Sequence, residues 1–300
     1  MRTVSLLPAA TEIMAFLGAT DHLVGVTHEC DYPDVVGSRA RVTKSSIPHS
    51  TDPAVIDAAV RELHGAGHAL FTMDEARIRA LHPDVLLTQA LCDVCAISET
   101  DVRALAAKLS PVPRIVSLGG TTLDGVYADI LSVAQAMNAT DEAEELLAGL
   151  HDRVKHVHDI LKAAKAPRLR VALIEWTDPV YIAGHWGPEQ IKRAGGFDVL
   201  GTAGQHSTTV PMEQLVAADP HIVLFAPCGY SLAASVAEAK RCLALPAWSW
   251  LKGRQVWAMD ANGLVSRPGP RIVDGIEAMA RVFNPLLFTA IDARHAERVG

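Results

Sequence analysis

Short apolar runs alternate along this chain with stretches in which apolar residues recur every three or four positions. The first kind predicts strands and the second amphipathic helices. Strands are expected at 3–7, 23–26, 85–88 and 114–118. The run Val85-Leu86-Leu87-Thr88 lacks polar alternation, as a strand covered on both faces does. Helices are expected from Ala10 or Thr11 through 13–17, with Glu12 favoured by the helix dipole, and at 53–64 and 98–108. Two longer helices follow, at about 123–137 and 141–165. In the second, Ala143, Leu146, Leu147, Leu150, Val154, Val157 and Leu161 keep the helical spacing.

The remainder repeats this grammar. Strands are expected at 170–175, 199–201, 222–225 and 256–259, and helices at 186–194, 235–243 and 269–283. Ala218-Asp219-Pro220-His221-Ile222-Val223-Leu224-Phe225 mirrors Leu81-His82-Pro83-Asp84-Val85-Leu86-Leu87-Thr88. A βα pattern used twice predicts an α/β protein with two doubly wound, Rossmann-like lobes. A long backbone helix joins them, and the ligand cleft lies between the lobes. The expected divisions are an N-terminal lobe at 1–120, connecting helices at 121–167 and a C-terminal lobe at 168–300.

Composition narrows the function. The chain has 300 residues, 49% of them hydrophobic and 20% charged, which suits two packed cores rather than disorder. A net charge of -7 with no Lys/Arg-rich run argues against nucleic acid. No run is long enough for membrane insertion. The chain opens directly on a strand, with no room for a secretory signal. Five cysteines, an odd number, fit a reducing compartment, so a cytoplasmic protein is expected, or a periplasmic one if the start is truncated.

Candidate chemistry sits at predicted strand ends, where open α/β sheets bind ligands. Cys30, Cys92, Cys95 and Cys228 all lie there, and Cys92 and Cys95 form a C-x-x-C pair. Four converging thiolates would suit zinc or an iron–sulfur cluster; the alternatives are a redox thiol role or small buried side chains. Cys242, among Val236, Ala239 and Leu243, reads as packing. His28 and Glu29 flank Cys30, and an imidazole there can ligate a metal or bond the backbone. His185 and Trp186 form a second candidate pair, the indole covering a flat ligand or filling an interlobe core. Trp176, Tyr32, Tyr181 and Tyr230 complete the aromatic candidates, while His49, His68 and His206 are scattered. Glu12 and Glu189 read as dipole partners, and Arg267 and Arg271 as ties for the loop between them. Gly119-Gly120-Thr121-Thr122 resembles a phosphate loop only superficially. No nucleotide, nucleophile-elbow or metalloprotease signature is present.

Several segments together carry a family resemblance over almost the whole chain. They are 4–12 (Val-Ser-Leu-Leu-Pro-Ala-Ala-Thr-Glu), Gly25-Val26-Thr27, 81–87, Gly184-His185-Trp186, Ala194-Gly195-Gly196 and Ser266-Arg267-Pro268-Gly269-Pro270-Arg271. With these the chain resembles the helical-backbone substrate-binding proteins of ABC importers, closest to the vitamin B12-binding type. The resemblance implies a corrinoid, cobalamin or a relative, lying flat between the lobes as ligand, with an ABC permease as partner. Other members take haem or ferric siderophores on the same scaffold. The cysteines and the missing export signal depart from the family. They suggest a second reading, a cytoplasmic metal- or iron–sulfur-dependent enzyme. The binding protein is the first.

Overall fold

The computed structural model describes residues 1–48, 50–91, 97–289 and 293–300. Contacts divide them into two compact units. The first comprises Met1–Gly120 with Asp124–Ala148, the second Thr121–Leu123 with Gly149–Gly300.

The first unit runs β1 (Thr3–Ser5), α1 (Pro8–Phe16), β2 (Leu23–Val26), β3 (Ala40–Arg41), β4 (Thr43–Ser45), α2 (Pro53–Gly65), β5 (Phe71–Met73), α3 (Glu75–Ala80), β6 (Val85–Gln89), α4 (Glu99–Ala106) and β7 (Arg114–Leu118), then α5 (Leu123–Met137). α6 (Thr140–Ala163) contains the division between the units. Among the described residues five strands form a parallel sheet in the order β3-β2-β1-β6-β7. β4 and β5 pair separately, antiparallel. β6 is buried throughout, as its unbroken apolar run requires. Val4, Leu6, Leu86, Val102 and Leu105 anchor the core between this sheet and α4.

The second unit contains β8 (Leu169–Thr177), β9 (Val180–Ile182), α7 (Gly187–Arg193), β10 (Gly196–Asp198), β11 (Thr208–Thr209), α8 (Met212–Ala217), β12 (Ile222–Phe225), α9 (Leu232–Leu243), β13 (Gln255–Met259), α10 (Ala261–Leu264), α11 (Ile272–Phe283) and β14 (Ala296–Arg298). Its sheet order is β11-β9-β8-β12-β13-β14. β8, β12 and β13 are parallel, whereas β9 and β14 pair antiparallel. β8 is long enough to pair its first residues with β10 and its last with β9.

The repeat seen in the sequence recurs in the backbone. His82 and Asp219 both take left-handed φ values, 43° and 44°, directly before a proline. Each amide closes the preceding helix, His82 onto the Arg79 carbonyl and Asp219 onto that of Val216. The proline then blocks further helix and turns the chain into the buried central strand, β6 or β12. Side-chain caps set other helix starts: Asp52 accepts the Ala54 amide ahead of Pro53, and Ser98 accepts that of Asp101.

β3, β4, β5, β9, β11 and β14 have no counterpart among the expected strands, and two of the expected elements are shifted. α1 starts at Pro8 rather than at Ala10 or Thr11, because Leu7 is the extended residue and proline favours the first helical position. Thr11 therefore lies a turn inside the helix, its hydroxyl bonding the Ser5 hydroxyl at 2.8 Å. The strand expected at 199–201 lies three residues earlier, as β10. Pairing with Leu169–Val171 decides its place, and the Asp198 carboxylate ends it by accepting the amides of Leu200 (3.0 Å) and Gly201 (2.6 Å).

The Gly119-Gly120 loop is occupied internally. Its two amides donate to the Asp129 carboxylate of α5, whose pKa is raised by burial. A Cβ on Gly120 would stand 2.4 Å from the Gly125 carbonyl carbon, so only glycine allows this approach.

Candidate ligand-binding edges

In the first unit β2 delivers Thr27, His28, Glu29 and Cys30 to the carboxyl edge of the sheet. Arg41 holds this turn, donating to the carbonyls of Thr27 (2.8 Å) and Cys30 (2.6 Å). The β4–β5 pair supplies the opposite wall. Thr43 Oγ1 accepts the His28 amide at 3.1 Å and bonds His28 Nδ1 at 2.7 Å. Phe71 lies against the imidazole, ring centres 5.7 Å apart. A recess opens here, lined by Leu6, Pro8, Thr27, His28, Glu29, Thr43, Phe71 and Ile97. Burial of its packed side, and then the Arg41 charge, hold the His28 pKa below the usual imidazole value. Tyr32 is exposed and sits against Phe16, ring centres 6.4 Å apart.

Cys30 has turned inward. It is 1% exposed, and its sulfur lies 3.0 Å from Thr11 Oγ1 and 3.3 Å from Thr27 Oγ1. Cys228 is exposed and belongs to the second unit. Cys92 and Cys95 lie outside the described residues, as does His49. Among the described residues, no group of three or more His, Cys, Asp or Glu is arranged to hold a metal ion. Cys242 packs in the second core beside Glu238, and burial pushes its thiol up to about 12.

In the second unit β8 delivers Glu175 and Trp176 to the carboxyl edge of its sheet. Trp176 meets Tyr230 edge to face, ring centres 5.7 Å apart. Tyr230 follows Cys228 and a left-handed Gly229. Trp186 is 6% exposed, and its indole N–H donates to the Val265 carbonyl at 2.7 Å. His185 beside it has φ 49° and faces His206, Nε2 to Nδ1 3.2 Å. Burial, then the neighbouring His206, lower the His185 pKa. Tyr181 lies on β9, on the side of β8 where Trp176 pairs with it. Glu189 is more than a dipole partner for α7, since its carboxylate also accepts the Leu123 amide that begins α5, at 2.6 Å.

Glu175 has partners that sequence spacing does not announce. Ser207, 32 positions away, donates its hydroxyl to the Glu175 carboxylate and accepts the Gly184 amide at 3.2 Å. Burial pushes the Glu175 pKa up to about 8, against hydrogen bonding from Ser207 and with help from Cys228 and Asp198. Unfolded, this carboxyl ionises near 4.5. The folded state therefore holds the extra proton between these values. Its stabilising effect is complete below about 4.5 and disappears as pH rises through 8. The thermal midpoint of the second unit is expected to fall between pH 6.5 and 8.5. Glu175→Gln should flatten that slope, as scanning calorimetry across the range will measure.

Comparisons with known proteins bear on the whole chain. A family model described as periplasmic binding protein matches residues 4–249. The vitamin B12-binding protein of Vibrio cholerae is 25% identical over 280 residues, 92% of this chain and 86% of that protein. An uncharacterized ABC transporter substrate-binding lipoprotein of Bacillus subtilis, YvrC, is 22% identical over 302 residues, covering 96% of this chain and 81% of its own. Among solved structures, a periplasmic heme binding protein from Pseudomonas aeruginosa shares the fold, with a TM-score of 0.70 at 20% identity, covering 95% of this chain and 93% of its own. These relatives overturn the expected cytoplasmic location, because the proteins they describe are periplasmic or lipoproteins. The physical reason is that composition and thiol count report weakly on compartment. What the match from residue 4 to residue 249 establishes is that this chain, a substrate-binding protein, belongs to the periplasmic binding protein family.

Proposed function

We propose that this protein captures a flat, metal-bearing macrocycle of the corrinoid or haem class, cobalamin first, outside the cytoplasm and passes it to an ABC permease. The observation that carries this reading is the similarity to the Vibrio vitamin B12-binding protein along 92% of the chain. The chemistry at the two sheet edges supports it. Thr43 fixes the His28 ring through Nδ1, and among the described residues Nε2 has no hydrogen-bond partner. With Nδ1–H donated to Thr43, Nε2 keeps the lone pair that a cobalt or iron centre accepts. The lowered pKa keeps that imidazole neutral at pH 7. Leu6, Pro8, Phe71 and Ile97 give the recess an apolar wall. Trp176 and Tyr230 offer the second unit's aromatic surface, suited to a broad ring.

Visible-absorption titrations with cobalamin and with haemin test the reading. Binding at micromolar concentration or tighter is expected for one of them. His28→Ala should weaken it about 10- to 100-fold and abolish the band shift that marks an axial nitrogen. If neither compound binds at micromolar concentration, the macrocycle reading fails.

A further inference from the structure

The second unit contains a contact between two imidazoles, those of His185 and His206. The turn bearing Gly184 and His185 and the loop at 201–207 are zipped together. The His185 amide donates to the Gln205 carbonyl at 2.6 Å, and the Gly204 amide returns to the His185 carbonyl at 2.9 Å. Ser207 adds the Gly184 and Glu175 contacts. At the centre, His185 Nε2 and His206 Nδ1 face each other at 3.2 Å with their rings perpendicular.

That contact is a hydrogen bond only while one of the facing nitrogens keeps a lone pair. The pair tolerates one added proton. With two, N–H faces N–H across 3.2 Å and both rings carry positive charge. We propose that the His185–His206 pair is a proton-operated catch, whose second protonation parts the 201–207 loop from the 183–186 turn. The inference does not depend on which ligand the protein takes.

Among the described residues, neither ring has a carboxylate as a hydrogen-bond or ion-pair partner. Glu175 lies near the end of β8 and reaches the loop through Ser207; burial keeps it protonated through the acid range. Asp198 ends β10, its Oδ1 accepts the Leu200 and Gly201 amides, and burial raises its pKa too. Cys228 follows β12, and its amide goes to the Glu175 carbonyl. Glu189 on α7 is engaged by the Leu123 amide. Of the neighbouring charges, only His206 shifts the titration of His185.

Amide hydrogen exchange of the full chain, corrected for the intrinsic effect of pH, tests the catch. Exchange at the His185 and Gly204 amides is expected to speed up about tenfold between pH 7 and pH 5. His206→Gln, which cannot become the second cation, should keep its protection at pH 5. His185→Asn, which tolerates the left-handed backbone, should do the same. Equal corrected rates in the wild type at the two pH values would overturn the proposal on their own. So would acceleration in a folded variant that matches the wild type.

Discussion

Replacing Phe225 by alanine is expected to destabilise the second unit by about 3–5 kcal/mol. Phe225 ends β12, the strand between β8 and β13, and is fully buried. Its ring meets Trp248 at 5.3 Å between centres, within a cluster containing Ile174, Val223, Val236 and Ala258. Truncation removes the ring's transfer free energy and leaves a cavity walled by sheet and helix, which relaxes little. Denaturant unfolding should show a lower midpoint at an unchanged slope. A loss under about 1 kcal/mol would mean that the core collapses around the missing ring.

Gly184→Ala should act nearly as strongly through the opposite fault. A Cβ there would lie 2.4 Å from the Gln205 carbonyl oxygen and 2.4 Å from the Ser207 amide nitrogen. Both atoms are backbone, so no side chain can swing away. The 201–207 loop would have to retreat, breaking the His185–Gln205 and Ser207–Glu175 bonds together. The expected cost is about 3 kcal/mol, the upper part of the range for overpacking. Thermal unfolding measures it, and faster amide exchange confined to 183–187 and 201–209 would locate it. An unchanged melting temperature would show that the close approach is absent in solution.

Much of the fold was legible because its central strands β6 and β12 are buried throughout. These two and the edge strand β7 coincide with apolar runs that begin just after proline-bearing turns or a polar boundary, and α5 and α6 keep helical spacing over many turns. The β4–β5 pair was not legible. Thr43-Lys44-Ser45 has no apolar alternation, and it forms a strand only because Phe71–Met73 lies alongside. That pair matters for the site, since it brings Thr43 and Phe71 to His28. Phe71-Thr72-Met73, alternating apolar and polar after Gly65 and Gly67, was the signal available for it.

At the site, position was easier to read than partnership. His28 and Trp176 could be placed at strand ends because each lies one polar residue beyond an apolar run. The bonds of Glu175 to Ser207 and of His185 to His206 span 32 and 21 positions through irregular loops, and no periodicity marks them. Trp186 shows the same limit, for its indole N–H finds its acceptor at Val265, 79 positions on. Cys30 looked like a strand-end ligand because sequence gives no sign that Thr11, one turn inside α1, bonds its sulfur.

A calorimetric titration of the purified full-length chain with cobalamin, beside Trp176→Ala, bears most directly on the proposal that this scaffold takes a macrocycle at its strand-end loops. Wild-type protein should bind one equivalent at micromolar affinity or tighter, and loss of the indole should weaken binding about tenfold in a variant that still unfolds cooperatively, with a melting temperature lowered by the lost contact with Tyr230. A wild type that releases no heat with cobalamin, or with haemin in its place, or a Trp176→Ala variant that binds as tightly as the wild type, would contradict it.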